Sequence, residues 1–161
     1  MTVWKPTLRG LRLSASKNGK AATRAEFCAL AVALYENVTG AEITERSTFG
    51  DTNDVSVEKM AAIGVVNGTG NNQFSPNNEL TREQAATMLS RLADAIGKPL
   101  PKQEATFNDN GSISEWAFEA AGQMQTTGIM GGVGDNTFSP QGEYTREQSI
   151  ITILRLYKDW T

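Results

Sequence analysis

The sequence predicts an all-α fold, with helix-loop-helix units set around a central three-helix bundle of pseudo-three-fold symmetry. Three observations lead there. The segment 64–76, GVVNGTGNNQFSP, recurs at 128–140 as GIMGGVGDNTFSP. A Thr-Arg-x-Glu/Gln motif occurs three times, opening at Thr23, Thr81 and Thr145, with spacings of 58 and 64 residues. Such self-similarity is the mark of a repeat architecture. After each motif, apolar residues keep helical spacing: Phe27, Leu30, Ala31, Leu34 and Val38; then Ala85, Met88, Leu89, Leu92 and Ile96; then Ile150, Ile153, Leu154 and Tyr157. Leu34, Leu92 and Leu156 each fall eleven residues after their Thr. Three amphipathic helices in one register favour a bundle in which each buries its stripe on the other two.

The elements divide the chain into four parts. Residues 1–20 form a basic, irregular start. Residues 21–46 hold the second half of a first unit, 47–104 a second unit, and 105–161 a third. The stretch Met1 to Ala22 carries Lys5, Arg9, Arg12, Lys17 and Lys20 and no acid. No apolar run follows it, so it does not read as an export signal. Each full unit opens on Phe-x-Asp (Phe49 and Asp51, Phe107 and Asp109). A short helix follows, then a glycine-rich turn ended by Pro76 or Pro140, which bars helix there. The short helix of the second unit is predicted at roughly 55–63. In the third unit it is predicted to start at Ser112, with Glu115 completing a capping box and Ile113, Ala117, Ala120 and Met124 as its apolar stripe. From the Phe to the glycine that opens the turn is 15 residues in the second unit and 21 in the third. The second unit is therefore shorter by under two helical turns.

Composition removes several functions. An apolar content of 39% with 20% charged residues fits a soluble globular chain. No apolar run of about 18 residues exists, so membrane insertion is not expected. Beyond the basic start, the chain is acidic and would repel nucleic acid. There is no histidine, and Cys28 is the only cysteine. Zinc sites of His/Cys type and a base-activated thiol are thereby excluded, and Cys28 reads as a small buried hydrophobe. No phosphate loop, cofactor motif or catalytic constellation is present, so an enzyme is not expected. Asp51, Asn53 and Asp54, and likewise Asp109 and Asn110, offer oxygens, but neither group completes a twelve-residue calcium loop. No metal site is predicted.

The arginine at each helix start is what folding leaves unexplained. In Thr-Arg-x-Glu/Gln the Thr is an N-cap, and Glu26, Gln84 or Gln148 returns the bond. Arg24, Arg82 and Arg146 sit where the helix dipole is positive, and a cation there costs about 0.3–1 kcal/mol. Two uses fit: an external anion held by guanidinium and free N–H groups, or a structural ion pair, with Asp51 or Asp109 of a neighbouring unit as partner. The Phe of Phe-x-Asp reads as a core plug and the Asp as a turn former ahead of the helix. Trp116 reads as core or as a flat platform for a sugar ring. Asn67, Gly68 and Gly132 serve the turn's backbone and leave room for a ligand to come close.

Taken together, these motifs resemble the S-layer homology repeat. The likeness covers about 47–97 and 105–160, with the second half of one more unit at about 21–40. The resemblance implies three repeats in a pseudo-three-fold spindle of helices, on the outside of the cell. It implies a partner too: an anionic, often pyruvylated, secondary cell-wall polysaccharide held in grooves between repeats. Arg24, Arg82 and Arg146 match the family's ligand-contacting arginine, and Asp51, Asp109 and Trp116 its groove aspartate and aromatic. Only Thr23-Arg24-Ala25-Glu26 matches the family motif letter for letter. The other two copies place Glu83 or Glu147 beside the arginine, and the second unit has no matching tryptophan. The expected function is non-covalent anchoring of a surface protein to the cell wall. The alternative is an assembly module that self-associates through the incomplete first unit.

Overall fold

The computed structural model describes residues 19–159. Most of the basic start, residues 1–18, lies outside them. Five α-helices follow in order: α1 (Arg24–Thr39), α2 (Val55–Ala62), α3 (Arg82–Ile96), α4 (Phe118–Thr127) and α5 (Arg146–Asp159). Two 3-10 turns, Asn110–Ser112 and Glu115–Ala117, precede α4. Among the described residues only isolated β-bridges occur outside the helices.

The long helices α1, α3 and α5 start where the Thr-Arg motifs predict. The Thr23 hydroxyl accepts from the Glu26 N–H, and the Glu26 carboxylate accepts from the Thr23 N–H. Thr81 and Gln84 repeat the exchange, as do Thr145 and Gln148. Each box satisfies two amides that a helix start leaves open.

Along the axis, α1 packs on both α3 and α5. Leu34, Leu92 and Leu156 are all completely buried, as are Phe27, Leu89 and, nearly so, Ile153. Burial of each such side chain contributes about 1.5–3 kcal/mol. Leu154 departs from the predicted stripe and is exposed. It lies one residue past Ile153, about 100° round the helix, whereas Leu156 and Tyr157 lie three and four residues on and share the inward face.

A ring of backbone bonds closes the bundle at the helix starts. The Ala22 N–H donates to the Tyr144 carbonyl at 2.8 Å, Tyr144 to Leu80 at 3.2 Å, and Leu80 back to Ala22 at 3.0 Å. Flanking pairs follow the same rotation: Thr23 with Glu79, Thr81 with Glu143, and Ala21 with Thr145. These positions are equivalent by the 58- and 64-residue spacings. The half-unit at the start thus supplies every group that the ring requires.

The short helices lie outside, each on the long helix of the preceding unit: α2 on α1, and α4 on α3. Lys59 Nζ meets the Glu36 carboxylate at 2.7 Å across the first pair. In the second pair Ser90 Oγ donates to Gln123 Oε1 at 2.5 Å, and Gly122 brings α4 against the 103–105 backbone.

The third unit corrects one expectation. No helix begins at Ser112, and no capping box forms with Glu115; α4 begins at Phe118. The Ser112 N–H bonds the Asp109 carbonyl inside a 3-10 turn, and Ile113 is extended. What holds the chain here is Glu83, which is 2% exposed. Its carboxylate accepts from the Ser114 N–H at 2.8 Å, the Ser114 hydroxyl at 2.7 Å and Gln141 Nε2 at 2.7 Å. A buried carboxylate with three donors outweighs one exposed capping box. Ile113, Ala117, Ala120 and Met124 are nonetheless all buried.

Candidate functional site

The glycine-rich loops carry the answer to where the arginines go. Loop 67–76 and its copy 131–140 have the same backbone. Asn71, Asn72 and Ser75 lie at φ of 53–59°, and Asp135, Asn136 and Ser139 at 51–58°. Asn and Asp tolerate this left-handed region; Ser pays roughly 1–2 kcal/mol for it. The Phe-x-Asp carboxylates hold the strained turn. Asp51 accepts from the Phe74 and Ser75 N–H groups, each at 2.9 Å. Asp109 accepts from Phe138 and Ser139, each at 2.8 Å. Asp51 is held below the ordinary carboxylate range, chiefly by the Phe74 amide. At Asp109 burial pushes upward, but the Phe138 and Ser139 amides and the Arg82 charge outweigh it. The Asp therefore clamps the loop, while Asp54 is the residue that caps α2. Phe49 and Phe107 plug the same loops, tilted on Phe74 and Phe138 at 5.3 and 5.1 Å.

Into each loop reaches the arginine of the preceding unit. Arg24 Nε donates to the Phe74 carbonyl at 2.9 Å, Nη2 donates to that of Asn67, and the guanidinium lies 4.4 Å above the Phe74 ring. Arg82, only 4% exposed, repeats this with Phe138 at 2.8 Å and with Gly131, 5.3 Å from the Phe138 ring. Gly68 and Gly132 are needed for close approach: a Cβ would lie 2.9 Å from the Gln73 carbonyl oxygen and 2.7 Å from that of Thr137. The expected ion pairs with Asp51 or Asp109 do not form, because both carboxylates are turned to loop amides. Arg146 differs. It forms an ion pair with Glu26, which stands where the other units have Gln84 and Gln148. Its Nε is buried with no partner among the described residues.

A cleft opens beside each loop-bound arginine. The first, about 180 Å³, is lined by Arg24, Asn67, Gly68, Gln84, Arg91 and Trp116, with Thr87 and Met88 on its helical wall. The second, about 240 Å³, is lined by Arg82, Gly131, Gly132, Gln148 and Arg155, with Ile151 and Thr152 where the first has Thr87 and Met88. Seven of these positions correspond by the repeat spacings; Trp116 has no counterpart in the second cleft, and Ile129 and Met130 line only the second. Each cleft holds two arginines and no carboxylate, in a chain with 18 acidic and 15 basic residues. Burial lowers the proton affinity of Arg24 and Arg82, so an anion alongside would favour their charged form. A cavity of about 680 Å³ beside α4 has the wrong sign for that: Glu104, Glu115 and Glu119 against Lys102.

The predicted site residues therefore separate. Arg24, Asn67, Gly68 and Trp116 meet at the first cleft, and Arg82 and Gly132 at the second. Asp51 and Asp109 line neither, and Arg146 sits apart with Glu26. Trp116 is 59% exposed, so it is no core residue. Glu83, beside Arg82 in sequence, is turned away to Ser114 and Gln141. Sequence reasoning missed Arg91 and Arg155. Both lie ten residues after a motif Thr, where the first unit has Ala33, and comparing the repeats at that register would have found them.

Comparison with known proteins gives a consistent picture. A family model described as the S-layer homology domain matches residues 56–86 and 106–148. An endoglucanase of Bacillus sp. (strain KSM-635) is 31% identical over 140 residues, covering 83% of this chain and 14% of that protein. An exoglucanase, XynX, of Acetivibrio thermocellus is 30% identical over 149 residues, 85% of this chain and 13% of the relative. The S-layer protein sap of Bacillus anthracis is 29% identical over 104 residues, 64% of this chain and 12% of the relative. The chain thus spans about one seventh or less of the length of these relatives.

Proposed function

Because the chain belongs to the S-layer homology family, we propose that it is a binding module that anchors a protein non-covalently to the bacterial cell wall. Its ligand is an anionic wall polysaccharide, and a pyruvylated sugar is the finer form of the proposal. Its place is outside the cell; no described helix is long and apolar enough to cross a membrane. The working units are the repeats at 47–104 and 105–161 with the half-repeat at 21–46, and binding rather than catalysis is the activity. The endoglucanase and exoglucanase relatives share with it only a small part of their length, as the S-layer protein does.

One observation carries the reading. Two equivalent clefts each present paired guanidiniums with no acid, on a molecule whose net charge is −3. Planar guanidinium forks suit carboxylates, and the exposed Trp116 face suits a sugar ring. Cosedimentation with purified Gram-positive-type cell walls tests it. Binding is expected to fall as salt rises and to vanish when the walls are stripped of their anionic polysaccharide. Equal binding to stripped walls sinks the proposal.

A second reading is association between chains, with the incomplete first unit at 21–46 as the edge. Light scattering at rising concentration separates the two; a strict monomer leaves the anchor alone.

A further inference from the structure

The two clefts are built from equivalent positions but are not equally free. On the anion-binding reading above, we propose that Arg91 is the residue that grips the ligand's carboxylate, in the cleft it shares with Arg24 and Trp116. The cleft at Arg82 is the weaker of the two.

Arg24 cannot turn to follow a ligand. Its Nε and Nη2 hold two loop carbonyls, and its plane is set by the Phe74 ring. It acts as a fixed positive wall. Arg91 lies in the same cleft, is exposed, and has no hydrogen bond or ion pair among the described residues. Its whole fork is available for a bidentate bond to a carboxylate. Its counterpart Arg155 is partly engaged: Nη1 donates to the Gly128 carbonyl at 3.3 Å and to that of Ile129 at 3.0 Å. The first cleft also has Trp116, which the six extra residues ahead of α4 bring to its rim. In the second cleft no described residue offers an aromatic face, and Ile151 stands in place of Thr87. A ligand with a carboxylate at one end and a pyranose face at the other fits the first cleft: anion on Arg91 against Arg24, ring on Trp116.

The test is an NMR titration of the full chain with a methyl pyranoside carrying a 4,6-linked pyruvate ketal. The Trp116 indole N–H and the Asn67 and Gly68 amides report the first cleft; the Gly131 and Gly132 amides report the second. In the wild type the first set is expected to shift at lower probe concentration. Arg91→Gln is expected to weaken the first-cleft response about tenfold and leave the second unchanged, and Arg91→Lys to recover part of the loss, because an ammonium lacks the planar fork. Arg91 is exposed, so these variants keep the fold. A first-cleft response unchanged by Arg91→Gln, or a second cleft that fills first, overturns the proposal and leaves the anion-binding reading standing. No shift in either cleft of the wild type overturns both.

Discussion

Arg82 and Arg91 stand nine residues apart on one helix, yet burial separates their roles. Arg82 satisfies two loop carbonyls from within the structure, and removing it strands both of them. Arg82→Ala is expected to cost about 2–4 kcal/mol in chemical denaturation, against less than about 0.5 kcal/mol for Arg91→Ala. Equal losses would contradict this division. The loop clamps add a pH dependence. Asp51 and Asp109 have folded-state pKa values below the ordinary range, so their contribution is complete above the unfolded value of about 3.9 and is lost as pH falls through the lowered folded values. Amide exchange in loops 67–76 and 131–140, corrected for its intrinsic pH dependence, is expected to lose protection there, and Asp51→Asn, which cannot titrate, to leave the first loop less protected with no such pH dependence. At this scale the capping Thr residues were legible, because a cap is settled within four residues. The destinations of Arg24 and Arg82 were not, because their acceptors lie 43 to 56 residues further along the chain.

The long helices are local objects, and their stripes and caps were read directly from the chain. The approach to α4 is not local. Ser112 and Glu115 have the spacing of a capping box, but Glu83 on another unit captures Ser114, and the extra residues become two 3-10 turns that carry Trp116 outward. Nothing near Ser112 in sequence announces Glu83. Helix α4 is itself placed by a close approach: a Cβ on Gly122 would lie 1.7 Å from the Gln103 carbonyl oxygen. Backbone cannot yield that far without separating α4 from the 103–105 segment. Gly122→Ala, which favours an isolated helix by about 1 kcal/mol, is therefore expected to destabilise the protein by about 1–3 kcal/mol. Thermal unfolding checks the sign, and a stabilised variant would refute the packing argument.

Across the whole molecule, the three-fold arrangement followed from the repeat spacings, while its closure by so short a first unit did not. Residues 20–22 look featureless in sequence because they contribute mainly backbone: the Ala22 amide and carbonyl, and the Lys20 carbonyl that receives the Arg146 N–H at 2.8 Å. An open stack of repeats unfolds from its ends, but a closed ring has none. Far-ultraviolet and tryptophan signals are accordingly expected to report one coincident transition in denaturant. Separate midpoints for the second and third units would show the ring to be energetically minor. For a tether the same closure has a mechanical meaning. Helix α5 leaves the ring at Arg146 and runs 14 residues, about 21 Å, to Asp159. Load carried along that helix meets Tyr144 two residues before its start, and Tyr144 bonds both Leu80 and Ala22, so the other two units share the strain.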